Sequence, residues 1–201
     1  MSLMNTIEIN NQRIYDAGKR TERDAFWEVF QKGGEPMNYN YAFAYNKFND
    51  ENYFPKYDID VLSGNTTANY MFNASPDLTD IKVTIDASKA NNTQSMFAGC
   101  TNLKRIPKLI VGANTGFQTT FTNCGALEEL YIEGTIAKNG LTLQYSKKLN
   151  KASIESIINA LSATESGLTV TFSKTAVNNA FTAEEWDGLE STKDNWTISL
   201  V

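Results

Sequence analysis

The sequence predicts a mixed α/β chain of stacked repeats with a parallel sheet, an N-terminal helical and aromatic cap, and a C-terminal β-α-β-α-β extension. Three observations predict it. A pattern of Phe, a small residue, then two apolar residues at intervals of three recurs without gaps in Phe72, Ser75, Leu78, Ile81, in Phe97, Cys100, Leu103, Ile106, and in Phe121, Cys124, Leu127, Leu130. Phe97 follows Phe72 by 25 residues and Phe121 follows Phe97 by 24, a period at which one unit stacks on the next. Each copy then ends in a β-rich segment, and after the third copy strand and helix patterns alternate, which favours parallel pairing through crossovers.

Taken in order, residues 1–60 read as the cap and 61–201 as the repeat array with its C-terminal α/β extension, in one continuous domain. Met-Ser-Leu-Met at the start reads as a scar ahead of a native methionine. In YDAGKRTERDAFWEVFQ (15–31), Phe26, Val29 and Phe30 share a helical face and Gly33-Gly34 ends the helix. Residues 37–59 are dense in Tyr, Phe and Asn. Each repeat pairs a short segment suited to a turn of helix with a strand, namely IKVTI (81–85), IPKLIV (106–111) and ELYIE (129–133). Stacking predicts a buried column of Ser75, Cys100 and Cys124 beneath the phenylalanines, so the cysteines are packing residues. LTLQY (141–145) alternates as a strand, although Leu143, Ser146 and Leu149 also fit a fourth copy of the repeat. Ile154, Ile157, Ile158 and Leu161 mark a helix, LTVTF (168–172) a strand, Thr182 with Glu185 a capping box opening a helix at 183–190, and WTISLV a last strand. The simplest arrangement is one sheet continuing to the C-terminus.

Composition narrows function by class. The 201 residues are 41% hydrophobic with a net charge of −5, and acids and bases are interspersed, so there is no basic footprint for nucleic acid. No histidine is present, which removes the usual partner of a Ser or Cys nucleophile and the commonest zinc ligand. No apolar run approaches the ~20 residues of a membrane helix. Asp50, Glu51, Asp58 and Asp60 lack calcium-loop spacing, and GANTG (112–116) lacks a phosphate-loop lysine. Glu184 and Glu185 diverge on their helix. No catalytic, cofactor or metal site emerges, and the chain reads as a non-enzyme.

The motifs MFAGCTNLKRIP (96–107) and TFTNCGALEELY (120–131) resemble the BspA-type leucine-rich repeat of bacterial surface and phage-associated proteins, over residues 69–134. The flanking segments resemble, more loosely, those of prophage or phage structural proteins of gut bacteria. This resemblance implies a tail-associated or receptor-binding component at the virion or, alternatively, a cell-surface adhesin or protein-interaction module. An enzyme whose carboxylates converge only in the fold is a third reading.

Period two places Ile81, Val83, Leu130, Ile132, Leu141, Leu143, Val170 and Ile198 in the core. Lys82, Thr84, Lys108, Tyr131, Glu133, Thr142, Gln144, Thr169, Thr171, Thr197 and Ser199 then lie on an exposed, threonine-rich face. Candidate binding residues are Lys108, Tyr131, Glu133 and Gln144 on that face, with Tyr39 and Tyr41 in the aromatic segment. The expected partner is a protein or a cell-surface glycan, and self-association into a homo-oligomer suits a tail component. Threonine is equally an ordinary strand former, and the tyrosines would equally serve to cover the open end of the stack.

Overall fold

Each copy of the repeat is completed by the next. In the computed structural model, which describes residue 44, residues 59–60 and residues 67–201, the rings of Phe72 and Phe97 stack at 5.3 Å and 2°, and those of Phe97 and Phe121 at 5.7 Å and 8°. All three rings are fully buried. Backbone bonds run the same way, from Phe72 N–H to Met96 O at 2.8 Å and from Phe97 N–H to Thr120 O at 3.0 Å. Of the predicted cap, all but residues 44, 59 and 60 lies outside the described residues, the helix at 15–31 included.

The segment around each phenylalanine is a chain of hydrogen-bonded turns, not the expected turn of helix. Two backbone positions per copy are left-handed: Tyr70, Ser95 and Thr119 at φ 58°, 52° and 55°, and Ala74, Gly99 and Asn123 at 51°, 79° and 61°. A continuing helix is impossible through such residues. The reversals let alternate peptide groups turn toward the neighbouring copy, where their hydrogen bonds are made.

Downstream, β1 (Ile59–Asp60), β2 (Ile85–Ala87), β3 (Arg105–Val111) and β4 (Glu129–Gly134) form a parallel sheet in that order. The strand expected at 81–85 begins only at Ile85, although Ile81 and Val83 are buried as expected. The cause is one extra residue: Asp80 bridges Arg105, 25 residues on, whereas Ile85 pairs with Leu109, 24 on. The same slip recurs between β3 and β4, where Ile106 pairs with Leu130 but Leu109 with Ile132. Pro107 sits in that bulge, where its missing N–H costs no ladder bond. At the ends of β3 and β4 the copies approach so closely that a Cβ on Gly112 or Gly134 would lie 2.0 Å from Ser88 O or Val111 O.

A fourth copy exists in part. Ser146 N–H bonds Leu143 O at 3.0 Å and Leu149 N–H bonds Ser146 O at 3.3 Å, repeating the bonds of Cys124 to Phe121 and Leu127 to Cys124. Where a fifth strand would follow, the chain instead forms α1 (Lys151–Ala160), capped by the Asn150 side chain accepting from Ser153 N–H. Ser153 Oγ accepts from Leu130 N–H and Ser156 Oγ from Ile132 N–H, both at 2.9 Å, and Ser156 Oγ donates to Ile132 O. Two serines on a helix thus take over the edge of β4. The expectation of one continuous sheet is corrected accordingly.

A second parallel sheet holds β5 (Thr142–Leu143), β6 (Leu168–Phe172) and β7 (Trp196–Leu200) in that order. The strand expected over 141–145 is limited to β5 because the rest of LTLQY enters the turn of the fourth copy. Leu143 aligns with Phe172 and Leu200, so the phenylalanine column runs on through this sheet. Between these strands lie α2 (Lys174–Ala180), which the sequence pattern did not predict, and α3 (Ala183–Glu190), which it did. The Thr182 and Glu185 capping box forms as expected. Phe172 and Phe181 meet the Trp186 ring edge-on at 6.2 and 5.6 Å. Ile198, expected in the core, is only half-buried because β7 is the outer strand.

Replacing Ser153 by Ala leaves the buried Leu130 amide without an acceptor, and is expected to cost about 1–3 kcal/mol in urea unfolding. Ala74→Gly relieves a left-handed alanine, whose strain of about 1–2 kcal/mol outweighs the unfolded-chain entropy of about 0.4–1 kcal/mol that glycine adds. It is expected to raise stability by up to about 1 kcal/mol in the same assay.

Candidate functional site

The strand alternation that buries Leu130 and Ile132 turns Tyr131 and Glu133 outward together on β4. Across the bulge, Pro107 and Lys108 are the β3 residues opposite Tyr131, between the two pairs that flank it. Lys108 Nζ reaches Glu133 Oε2 at 2.8 Å. Next to them Arg105 Nε lies 3.3 Å from Asp80 and 3.7 Å from Glu129, so three successive copies carry alternating charges across the sheet. These are open ion pairs, with 38% and 59% of the Lys108 and Glu133 side chains exposed. Pairs of this kind contribute about 0–1 kcal/mol to stability and are readily exchanged for a partner's charges.

Lys108, Tyr131 and Glu133 are therefore brought together, as the sequence expected. Gln144 is not with them: it lies in the turn that follows β5. In the second sheet Thr142, Thr171 and Ser199 stand in one register row, with Thr169 and Thr197 in the adjacent row. Tyr39 and Tyr41 lie outside the described residues. Sequence reasoning did not single out Arg105 or Asp80. Their signal was available in the repeat register, since both stand just before the β segments of adjacent copies.

The cysteines are fixed by packing. Cys100 Sγ donates to Phe72 O at 3.0 Å and Cys124 Sγ to Phe97 O at 3.1 Å, and both residues are fully buried. Burial pushes the Cys100 thiol up to about 12, and burial, then the neighbouring Cys100, raises Cys124 further. Neither is a thiolate at neutral pH. Ser146, in the same place of the fourth copy, likewise donates back, to Cys124 O at 3.2 Å. The column asks for a small weak donor, not for sulfur chemistry.

Among the described residues, no group of three His, Cys, Asp or Glu side chains is placed to hold a metal ion. No helix among them is long and apolar enough to cross a membrane. The first sheet presents open ion pairs around Tyr131, and the second presents hydroxyls in ordered rows. In comparisons with protein-family models, curated proteins and solved structures, nothing matches the chain.

The native protein is expected to resist alkylation by iodoacetamide at both cysteines until it is unfolded, as mass spectrometry would read. Cys124→Ser should keep the fold at a cost of about 1 kcal/mol, whereas Cys124→Phe overpacks the column and costs more.

Proposed function

We propose that this chain is a leucine-rich-repeat solenoid of the BspA type that works by binding, as a phage or prophage tail-associated or receptor-binding component. The observation that carries the reading is the exposed sheet face on which Arg105, Lys108, Tyr131 and Glu133 lie side by side, drawn from copies stacked in register. A surface of this construction extends over several copies and presents side chains at strand spacing, the way repeat arrays engage extended partners. The partner is a cell-surface protein or glycan. Tyr131 supplies a flat apolar body with a polar end, and the surrounding ion pairs supply donors and acceptors for a polar ligand.

Fluorescently labelled protein, applied to a panel of intact gut-bacterial cells with heat-unfolded protein as control, is expected to bind some strains saturably. Tyr131→Ala combined with Lys108→Ala should reduce that binding about tenfold or more, since central aromatic anchors dominate such interfaces. Unchanged binding by the double variant would remove this face from the reading, and absence of binding to all strains would remove the receptor role.

A further inference from the structure

The second sheet ends openly. Val201 N–H donates to Phe172 O at 3.1 Å and Val201 O accepts from Lys174 N–H at 2.7 Å. By alternation Thr197 and Ser199 also aim their backbone groups at β6, while the N–H and C=O of Ile198 and Leu200 point away from it. No strand among the described residues pairs with that outer edge. The strand itself carries none of the usual protections of an edge: β7 is five residues long and WTISL contains no charge, no proline and no bulge. Next to it the apolar column is incompletely covered, since Ile198 and Leu200 are half-buried and Val201 is 58% exposed.

We infer that β7 pairs antiparallel with β7 of a second copy of this chain, about a twofold axis at Ile198, to make one continuous sheet across a dimer. The sequence of the strand is self-complementary under that operation. Ile198 faces its own counterpart in a pair that exchanges both backbone bonds, Trp196 faces Leu200, and Thr197 faces Ser199. Every cross-strand pair then joins apolar to apolar or hydroxyl to hydroxyl, which is the pairing that stabilises neighbouring strands. The uncharged edge selects against a charged partner strand, and a second copy meets it with equal polarity at each position. The axis stands perpendicular to the sheet, so the rows of Thr169, Thr171, Thr197 and Ser199 from both copies fall on one side and form a single hydroxyl face. The inference is independent of the receptor-binding role.

Light scattering coupled to size-exclusion chromatography, across a dilution series of the full chain, is the test. Wild type is expected to run as a dimer that dissociates on dilution. Thr197→Lys with Ser199→Lys places like charges opposite each other across the axis and should raise the dissociation constant about tenfold or more. Thr197→Glu with Ser199→Lys places opposite charges there and should restore the dimer. Circular dichroism and melting of each variant check that the monomer is folded. A wild-type monomer at every concentration overturns the inference. So does a dimer that both double variants retain, which places the interface elsewhere, or a charge-swapped variant that is folded yet fails to dimerise.

Discussion

A single copy of the repeat cannot satisfy itself, and everything else follows from that. Its phenylalanine is buried against the ring of a neighbouring copy, and its turn amides point out of the copy toward the next. The same peptide unit that accepts from one copy donates to the other, as Met96 O and Phe97 N–H do. Stability is therefore shared between neighbours rather than held within a copy. The small residues of the Ser75, Cys100 and Cys124 column are what permit the copies to approach closely enough for both interactions.

The stack has two walls, and they end by different means. On the strand wall α1 lays its serines against β4, so hydroxyls receive the amides that a further strand would have received. On the turn wall β5 passes the stack to β6 and β7, with Leu143, Phe172 and Leu200 in the place held earlier by phenylalanine. Lys193 Nζ donates to Leu161 O at 2.6 Å and Trp196 Nε1 to Ser162 O at 2.9 Å, which ties the end of α1 to the start of β7. The departure of the two walls is what gives the molecule two exposed faces of different chemistry: ion pairs around Tyr131 on one, hydroxyl rows on the other.

The repeat period, the buried column, β6, β7 and α3 were legible because each is written locally, in a recurring spacing, a period of two, or the Thr182 and Glu185 box. The sheet break was not. Ser153 and Ser156 act on amides 23 and 24 residues earlier, and a serine on a helix carries no local mark of such a task. α2 escaped notice because KTAVNNA has only Ala176 and Val177 buried, adjacent rather than periodic. The bulges were hidden for another reason: alternation across Ile106, Leu109 and Val111 breaks by one residue, which a strand pattern read alone cannot distinguish from an imperfect strand. The clustering of Lys108, Tyr131 and Glu133 was legible from alternation, whereas the flanking Asp80 and Arg105 needed the register between copies.

The slips between β2 and β3 and between β3 and β4 make the copies unequal in length. Along the strand wall the offset between partners falls from 26 residues at Ile59 and Ile85 to 24 at Ile85 and Leu109 and 23 at Leu109 and Ile132. An array of identical units can lengthen by duplicating one of them, since any unit fits any place. Here each unit is cut for a single place, so a duplicated copy would meet its neighbours out of register and turn its apolar residues to water. The described copies thus carry their own ruler: each fits one place in the stack, and α1 closes the strand wall after the last of them.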